Sequence, residues 1–256
     1  MRYLEVAEKA AREAGEILIE HLGKVRDIDY KGKNNLVTEV DKLSEDLIVS
    51  RIKETFHTHD IFAEESGRHS NGSDHLWLID PLDGTTNYAH AYPFFAVSIA
   101  LEIKGQLKAG LVYDPVKDEM FTAELGKGAF LNGSPIRVTK TERLDESHLV
   151  TGFVHENPKI VEDNLRNFAN FIRSARAVRR DGSAALDLCY LACGRFDGFW
   201  ELGLNPWDTA AGVLIVEEAG GVVTRFNGEP YSIYVKEILA CAPGIHKDMM
   251  GVLALA

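Results

Sequence analysis

The sequence predicts layered α and β structure, with an antiparallel α+β first half and an α/β second half. Apolar residues near the N-terminus recur at helical spacing, and a later run of alternating apolar and polar residues ends near residue 138. Helix-like and strand-like segments then alternate to the end of the sequence. We therefore predict two halves, residues 1–140 and 141–256, with the boundary near residue 140.

Two amphipathic helices are predicted at the beginning. From Leu4 to Leu18, apolar residues are spaced three and four apart, as on one face of a helix. A polar segment at 31–35 predicts a loop, and a second helix is predicted over about 38–56. The residues expected to face inward from this second helix are Leu43, Leu47, Ile48 and Ile52.

The remaining elements divide into a meander and an alternating region. Alternation over 94–138 predicts antiparallel strands, and Asp114-Pro115 and Asn132-Gly133 are turn signals between them. Beyond the meander, helices are predicted near 161–174, 183–192 and 206–219 and from 246, with strands at 175–178, 196–200, 222–225 and 238–241.

Composition limits the classes to which the protein can belong. With 28 Lys and Arg against 39 Asp and Glu, the formal net charge is −11, which disfavours nucleic acid as a substrate. No stretch approaches the ~20 consecutive apolar residues of a membrane-spanning helix. The N-terminus reaches acidic residues at once, without an apolar signal core, so we expect a cytoplasmic protein. The 3 cysteines are too few and too sparse for a disulfide framework.

The most informative segment is an acidic turn that follows a predicted buried strand at 76–79. The strand delivers Asp80 to the end of a sheet, and Asp83 follows three residues later, so both carboxylates can face one point. Gly84 lets the backbone approach a ligand closely. Thr85 then begins a predicted helix whose free N–H groups favour a phosphate.

This pair of carboxylates has a chemical and a structural interpretation. Two neighbouring carboxylates repel each other, and a hard divalent cation such as Mg²⁺ removes the conflict. One Asp can bridge two such cations ~3.5–4 Å apart. In the structural alternative, Asp83 caps the helix that begins at Thr85 in an Asx turn. The residues of the turn alone leave both interpretations open.

Further acidic positions fit the chemical interpretation. Glu64 follows an apolar run and precedes a turn, and Asp208 stands near the start of the predicted helix at 206–219. Each has a simpler alternative, a solvated side chain for Glu64 and a helix cap for Asp208. Asp41 has the spacing of a capping-box partner of Thr38.

Several blocks of sequence together resemble the signature of a known family. The segments 63–66, 80–87 and 206–212 look like those of the inositol monophosphatase family, in the same order, and are most similar to its bacterial branch. Segments 36–41 and 182–188 extend the resemblance to nearly the whole chain. That family shares a superfamily with fructose-1,6-bisphosphatases and other lithium-sensitive phosphatases. The resemblance implies a layered α-β-α-β-α sandwich of the sugar-phosphatase type, and commonly a homodimer.

The resemblance also implies two or three Mg²⁺ ions in each active site. Glu64, Asp80 and the Leu82 carbonyl oxygen would bind the first ion, and Asp80, Asp83 and Asp208 the second. Glu64 would also reach a third, weaker ion through water and so take part in catalysis. The first half would then hold most metal ligands, and the second half would supply Asp208 and the substrate contacts.

Further catalytic and substrate roles are implied in the same way. Asp41 and Thr85 would hydrogen-bond the attacking water. The residues that would contact substrate are Asp83, Gly84, Thr85, Gly182, Ser183, Ala184 and Glu201. Ser183 also fits a helix N-cap, which is compatible with a substrate contact. Arg179 and Arg180 could hold a second phosphate, or they could be solvated surface residues.

With this resemblance, the residues predict Mg²⁺-dependent hydrolysis of a small phosphate monoester, with inositol 1-phosphate as the first choice. Water would attack phosphorus in line and without a covalent intermediate, because no Cys or Ser nucleophile stands in a recognisable phosphatase loop. The alternatives are a fructose-1,6-bisphosphatase or dual-specificity sugar phosphatase, a nucleotide 3′-phosphatase, and a binding protein on this fold. Lithium sensitivity is implied by the resemblance alone.

Overall fold

Two β-sheets and three helix layers form the fold of this computed structural model, which describes residues 2–24, 28–30, 36–154 and 157–254. The predicted loop at 31–35 lies outside the described residues. The α-helices of the described part are α1 (Arg2–His21), α2 (Glu39–Thr55), α3 (Thr85–Ala89), α4 (Pro158–Ser174), α5 (Ala184–Ala192), α6 (Pro206–Glu218) and α7 (His246–Leu253). None of these helices is both long enough and apolar enough to cross a bilayer.

The first sheet is formed by strands from the first half. Its strands are β3 (Asp60–Ala63), β4 (Gly67–His69), β5 (His75–Asp83), β6 (Ala96–Ile103), β7 (Gln106–Asp114), β8 (Glu119–Glu124), β9 (Ala129–Leu131) and β10 (Ser134–Ile136), and β1 (Ile28–Tyr30) pairs separately with β2 (Leu36–Thr38). The order across the sheet is β10-β9-β8-β7-β6-β5-β3-β4. Neighbouring strands are antiparallel except β3 and β5, which are parallel. The predicted meander is confirmed by β6 to β10.

The second sheet is mixed. Its strands are β11 (His148–Thr151), β12 (Ala177–Arg179), β13 (Gly198–Leu202), β14 (Val222–Thr224) and β15 (Glu237–Cys241), in the order β12-β11-β13-β15-β14. Strand β11 runs parallel to β12 and β13, whereas β15 runs antiparallel to β13 and β14. Helices α4, α5 and α6 alternate with these strands along the chain, as predicted for the second half.

The helices form layers on both sides of the two sheets. Helices α1 and α2 cover the outer face of the first sheet, where Ile48 packs in one core with Trp77. Helices α5 and α6 lie between the sheets, and Leu188 belongs to the core shared by both. Helices α4 and α7 cover the second sheet from outside, where Phe171 stacks on Trp200 with 4.1 Å between ring centroids. The predicted α-β-α-β-α order is confirmed; the boundary near residue 140 stays a prediction.

One face prediction for α2 is wrong. Leu43 was expected to face inward, but it is 49% exposed. The buried residues of α2 are Val40, Asp41, Ser44, Glu45, Ile48 and Ile52. Because half of this stripe is polar, a pattern built on apolar residues alone cannot locate it. Leu47 is half-buried against the core, as expected from its place beside the stripe.

Candidate active site

A cavity of about 160 Å³ lies where the end of β5 meets the starts of α5 and α6. Six carboxylates line it, those of Glu64, Asp80, Asp83, Asp187, Glu201 and Asp208. Arg180 is the one cationic residue among the described residues that line it. The cavity is therefore strongly acidic, and it contains all four carboxylates to which the resemblance assigns metal binding.

A bulge in β5 brings Asp80 and Asp83 to the same cavity. Asp80 pairs with Ser98 of β6 and Asp83 pairs with Ala96, so the register gains one residue on β5 between them. In a regular strand, residues three apart face opposite sides, and a bulge re-aims one of them. The strand was predicted to end at Asp80, but it runs on to Asp83 because the bulge accommodates Pro81.

Asp80 is the most deeply buried of the four carboxylates to which the resemblance assigns metal binding. It is 2% exposed, and its Oδ1 accepts the Leu82 N–H at 3.0 Å. Burial raises the pKa of Asp80 well above its usual range, and the charges of Glu64, Asp83 and Asp208 raise it further. The four carboxylates therefore interact electrostatically across one cavity.

Asp83 connects the two halves. Its Oδ2 accepts hydrogen bonds from the Ser183 hydroxyl and from the Ala185 N–H, the latter at 2.8 Å. Burial raises the pKa of Asp83 to about 6. These hydrogen bonds act in the opposite direction, because they favour the ionised carboxylate. The expected Asx cap at Thr85 is wrong, because Gly84 is the N-cap of α3, with φ of 95° and no side-chain cap. Asp83 binds the first turn of α5 instead.

Thr85 and Leu82 contact each other. The Thr85 hydroxyl donates to the Leu82 carbonyl oxygen at 3.1 Å. A hydroxyl has a single proton, so in this arrangement Thr85 can only accept a further hydrogen bond from water. The Leu82 oxygen keeps a second lone pair, which remains compatible with metal binding.

Glu64 and Asp208 reach the cavity from opposite halves. Glu64 follows β3 directly, and its N–H donates to the Ile79 carbonyl at 3.2 Å. Asp208 is in the first turn of α6, and its Oδ2 accepts the Asn205 N–H at 2.7 Å in a capping box. The cap alternative for Asp208 is therefore correct and coexists with its position in the cavity. Burial raises the pKa of Asp208 well above its usual range, and Glu64 adds to the effect.

Asp41 is buried near these carboxylates without lining the cavity. It is 1% exposed on α2 and is not among the described residues that line the cavity. Its charge nevertheless contributes to the raised pKa of Asp80 and of Tyr88, which places it within electrostatic reach of both. Its water-binding role stays a prediction. The side chain of its expected capping partner, Thr38, lies outside the described residues.

The carboxylates share a cavity without meeting at one point. Within the described ranges, no three His, Cys, Asp or Glu side chains are gathered closely enough to hold a metal ion. Their chemistry nevertheless fits a hard divalent cation, because the donors are oxygens and the raised pKa values of Asp80 and Asp208 report mutual repulsion and burial. A divalent cation bound between these carboxylates would offset their mutual repulsion and the unfavourable burial of their charges.

The predicted substrate residues separate into two groups. Those that line the cavity are Asp83, Gly84, Thr85, Gly182, Ser183, Ala184, Glu201 and Arg180. Ser183 is also the N-cap of α5, as the alternative for it expected. Arg179 is absent from the described lining, and its guanidinium donates to the Val178 carbonyl at 3.2 Å. Consecutive residues in extended backbone face opposite sides, so the two arginines diverge.

Sequence reasoning assigned no role to four residues of the cavity wall, Gly152, Phe153, Asp187 and Leu204. Asp187 is 1% exposed, and both of its carboxylate oxygens lack a hydrogen-bond partner among the described residues. Burial raises its pKa well above its usual range, and Asp181 and Glu201 add to the effect. Gly152 leaves room for Glu201, because a Cβ there would lie 2.3 Å from Glu201 Oε2. An acidic residue in the otherwise apolar helix α5 was the available signal for Asp187.

Comparisons with known proteins identify the family of this chain. The model of the inositol monophosphatase family matches residues 2–254. The chain is 44% identical to the inositol-1-monophosphatase of Synechocystis sp. over 98% of this chain and 88% of that protein. It is 46% identical to the Nus factor SuhB of Pseudomonas aeruginosa over 88% of this chain and 86% of that protein. The solved inositol monophosphatase of Anabaena (Nostoc) sp. superposes with a TM-score of 0.91 at 43% identity, covering 100% of this chain and 96% of that one.

These matches extend over nearly the full sequence and structure, and the acidic cavity lies within them. The family is generally metal-dependent, and its Synechocystis relative is named an inositol-1-monophosphatase. The chain therefore belongs to the inositol monophosphatase family and is a phosphoric monoester hydrolase with phosphatase activity on inositol phosphate.

Proposed function

We propose that the protein hydrolyses inositol 1-phosphate to inositol and phosphate with Mg²⁺, by direct attack of water. The observation that carries this proposal is the convergence of Glu64, Asp80, Asp83 and Asp208 on one buried cavity. Their charges raise the pKa of Asp80, and a divalent cation is the simplest compensation. Two or three Mg²⁺ ions per site are part of the proposal, with the Leu82 carbonyl as a further ligand.

The residues around the cavity suit an in-line reaction. Bound Mg²⁺ supplies a lowered pKa for water and charge neutralisation at the leaving oxygen. Thr85 can accept a hydrogen bond from the attacking water while it donates to Leu82. Gly84 and Thr85 line the cavity, and in this proposal the Thr85 backbone N–H would donate to a phosphoryl oxygen. Asp41, on α2, would also hydrogen-bond the attacking water.

The alcohol part of the substrate would lie against the second half. Glu201 is 5% exposed and lines the cavity, so it can accept from a ring hydroxyl. Gly182 and Ala184 form the adjoining wall. Arg180 is the lining residue that a second phosphate would need, which keeps fructose 1,6-bisphosphate as the alternative substrate.

A substrate panel tests the proposal. Phosphate release is measured for inositol 1-phosphate, fructose 1,6-bisphosphate and adenosine 3′,5′-bisphosphate, each with Mg²⁺ and with a chelator. We expect the highest kcat/KM for inositol 1-phosphate and no release with chelator. Preference for the nucleotide would overturn the substrate, and full activity in chelator would overturn the metal dependence.

Two further proposed properties, a homodimer and inhibition by lithium, rest on the family alone. A cytoplasmic location is proposed from the N-terminal sequence. Sedimentation of the purified protein tests the first, since a dimer has twice the 28.4 kDa of one chain. Phosphate release at rising LiCl concentration, with KCl as the control for ionic strength, tests the second.

A second role as a binding protein is also open to test. A relative 46% identical to this chain is named a Nus factor, which supports asking the question here. The complete set of acidic residues in the cavity favours an enzyme as the primary function. Phosphate release by the purified protein with Mg²⁺ separates an enzyme from a protein that only binds.

A further inference from the structure

Helix α2 carries a buried glutamate that is not part of the cavity wall. Glu45 is 2% exposed and is not among the described residues that line the cavity. Its Oε2 accepts the Glu65 N–H and its Oε1 accepts the Ser66 N–H, both at 2.8 Å. One carboxylate therefore holds two consecutive backbone groups directly after Glu64.

The neighbouring residue makes a similar contact with the other acidic segment. The Ser44 hydroxyl is buried and donates to the Pro81 carbonyl at 2.9 Å. Pro81 lies in the bulge between Asp80 and Asp83. Two adjacent residues of one rigid helix thus hold both backbone segments of the first half that deliver carboxylates to the cavity.

The contacts made by Glu45 need a carboxylate. Two N–H donors converge on one side chain, and the two oxygens of a carboxylate offer an acceptor to each. Hydrogen bonds to an ionised group are among the stronger ones in proteins. Burying this charge is costly without such partners, so an apolar residue that only packed would be simpler. The contact therefore indicates a role in fixing the backbone.

Glu64 is held from both sides as a result. Its own N–H donates to the Ile79 carbonyl of β5, and Glu45 holds the next two residues. Removal of the Glu45 contact releases the backbone N–H groups of residues 65 and 66. The segment at 65–66 could then rotate and turn the Glu64 carboxylate away from Asp80.

We propose that Glu45 is a positioning residue for divalent-cation binding, acting through the 64–66 backbone on Glu64. Ser44 acts in the same way through Pro81 on the bulge. This inference rests on the proposed metal-dependent function and assigns a role to residues that contact neither the cation nor the substrate.

Glu45→Gln is the direct test. The amide keeps the size of the side chain but replaces one acceptor with a donor that faces a backbone N–H. We expect the dissociation constant for Mn²⁺, measured by calorimetry on the protein without substrate, to rise about 10- to 100-fold. The Mg²⁺ concentration for half-maximal phosphate release should rise in parallel, while kcat at saturating Mg²⁺ changes by less than about 3-fold.

Asp46→Asn is the matched control. Asp46 is the next residue on α2 and is exposed. This variant should bind Mn²⁺ within about 2-fold of the unmodified protein, as expected for a surface substitution. An equal loss of affinity in both variants would mean that the negative charge on α2, rather than the Glu45 contact, determines the affinity for Mn²⁺.

Ser44→Ala covers the case in which Glu45→Gln does not fold. It removes only the Pro81 hydrogen bond, and we expect a smaller rise in the Mn²⁺ dissociation constant, about 3- to 10-fold. A folded Glu45→Gln variant with unchanged Mn²⁺ affinity overturns the inference. If it does not fold, unchanged affinity in Ser44→Ala overturns it. If the unmodified protein binds no Mn²⁺ and releases no phosphate, the proposed function fails, and that outcome is distinct from both.

Discussion

Asp83 shows how one side chain can serve both structure and chemistry. Its carboxylate accepts from Ser183 and Ala185 and so ties the bulge of β5 to the first turn of α5. Burial raises the pKa of Asp83 to about 6, so ionisation of this carboxyl is less favourable in the folded protein than in water. A helix cap and a metal ligand are therefore compatible roles for this residue.

Asp83→Asn should separate these two roles. The amide oxygen can keep both hydrogen bonds, so we expect the far-ultraviolet circular dichroism and the melting temperature to stay close to those of the unmodified protein. The lost charge should reduce kcat/KM for inositol 1-phosphate by about 100-fold or more. Nearly full turnover by this variant would contradict its role as a metal ligand.

Ionisation of Asp187 is unfavourable in the folded protein, because both of its carboxylate oxygens are buried without a hydrogen-bond partner among the described residues. Its folded-state pKa is raised, so the folded protein binds the proton more tightly than the unfolded chain does. The free energy of unfolding therefore falls as pH rises above the unfolded-state pKa of about 4.

Asp187→Asn should remove that dependence. At pH 8 we expect the free energy of unfolding of the metal-free variant to exceed that of the unmodified protein by roughly 1–3 kcal/mol. Near pH 4 the two should be nearly equal, because Asp187 of the folded protein is then protonated and uncharged, like Asn. Urea unfolding at both pH values measures this, and a variant that is less stable at pH 8 would contradict the account.

At the scale of elements, the ends of strands define the side of the cavity that we propose binds the alcohol part of the substrate. Gly152 follows β11 directly, and Glu201 lies on the neighbouring strand β13. The two are so close that a Cβ at Gly152 would lie 2.3 Å from Glu201 Oε2. The Glu201 carboxylate can therefore take this position only because the residue after β11 is a glycine and has no side chain.

Gly152→Ala should displace Glu201 and weaken recognition of the inositol ring. We expect kcat/KM for inositol 1-phosphate to fall about 10-fold or more, since a hydrogen-bonding site loses its polar contact. Hydrolysis of p-nitrophenyl phosphate, which has no ring hydroxyls, should change by less than about 3-fold.

Gly251→Ala is the control for this substitution. Gly251 lies in α7, and a Cβ there would meet nothing within 4 Å. It should leave both substrates unaffected. An equal loss on both substrates in Gly152→Ala would mean that the change disturbs the whole cavity instead of the alcohol side.

The order of elements was predictable from sequence, whereas faces and registers were not. Periodicity located α1, because its buried residues are almost all apolar. It failed at Leu43, where the buried face of α2 is half polar, and at the bulge after Asp80. At both places the side chains serve contacts other than apolar packing.

At the scale of the whole molecule, the cavity exists because the two halves meet there. Asp80, Asp83 and Glu64 come from the first sheet, and Asp208 comes from a helix between the sheets. Periodicity does not predict contacts across such a distance in sequence. The resemblance to a family supplied them. It assigned no role to Asp187, although Asp187 lies in the matching segment 182–188, and Gly152 lies in none of the matching segments.

Ser183→Ala should weaken the junction between the halves. It removes the hydroxyl that donates to Asp83 and the N-cap that accepts from Leu186. We expect the free energy of unfolding to fall by about 1 kcal/mol, as for loss of an N-cap. Urea unfolding measures this, and unchanged stability would mean that the junction depends on other contacts.

The central claim is that Glu64, Asp80, Asp83 and Asp208 bind divalent cations in one cavity. The most direct test is a crystal structure of the protein with Mn²⁺, in which anomalous scattering locates the ions. The account predicts at least one ion shared between Asp80 and carboxylates from both halves, with Glu64 and Asp208 both among the ligands. An ion bound elsewhere, or Glu64 or Asp208 turned away from Asp80, would contradict it.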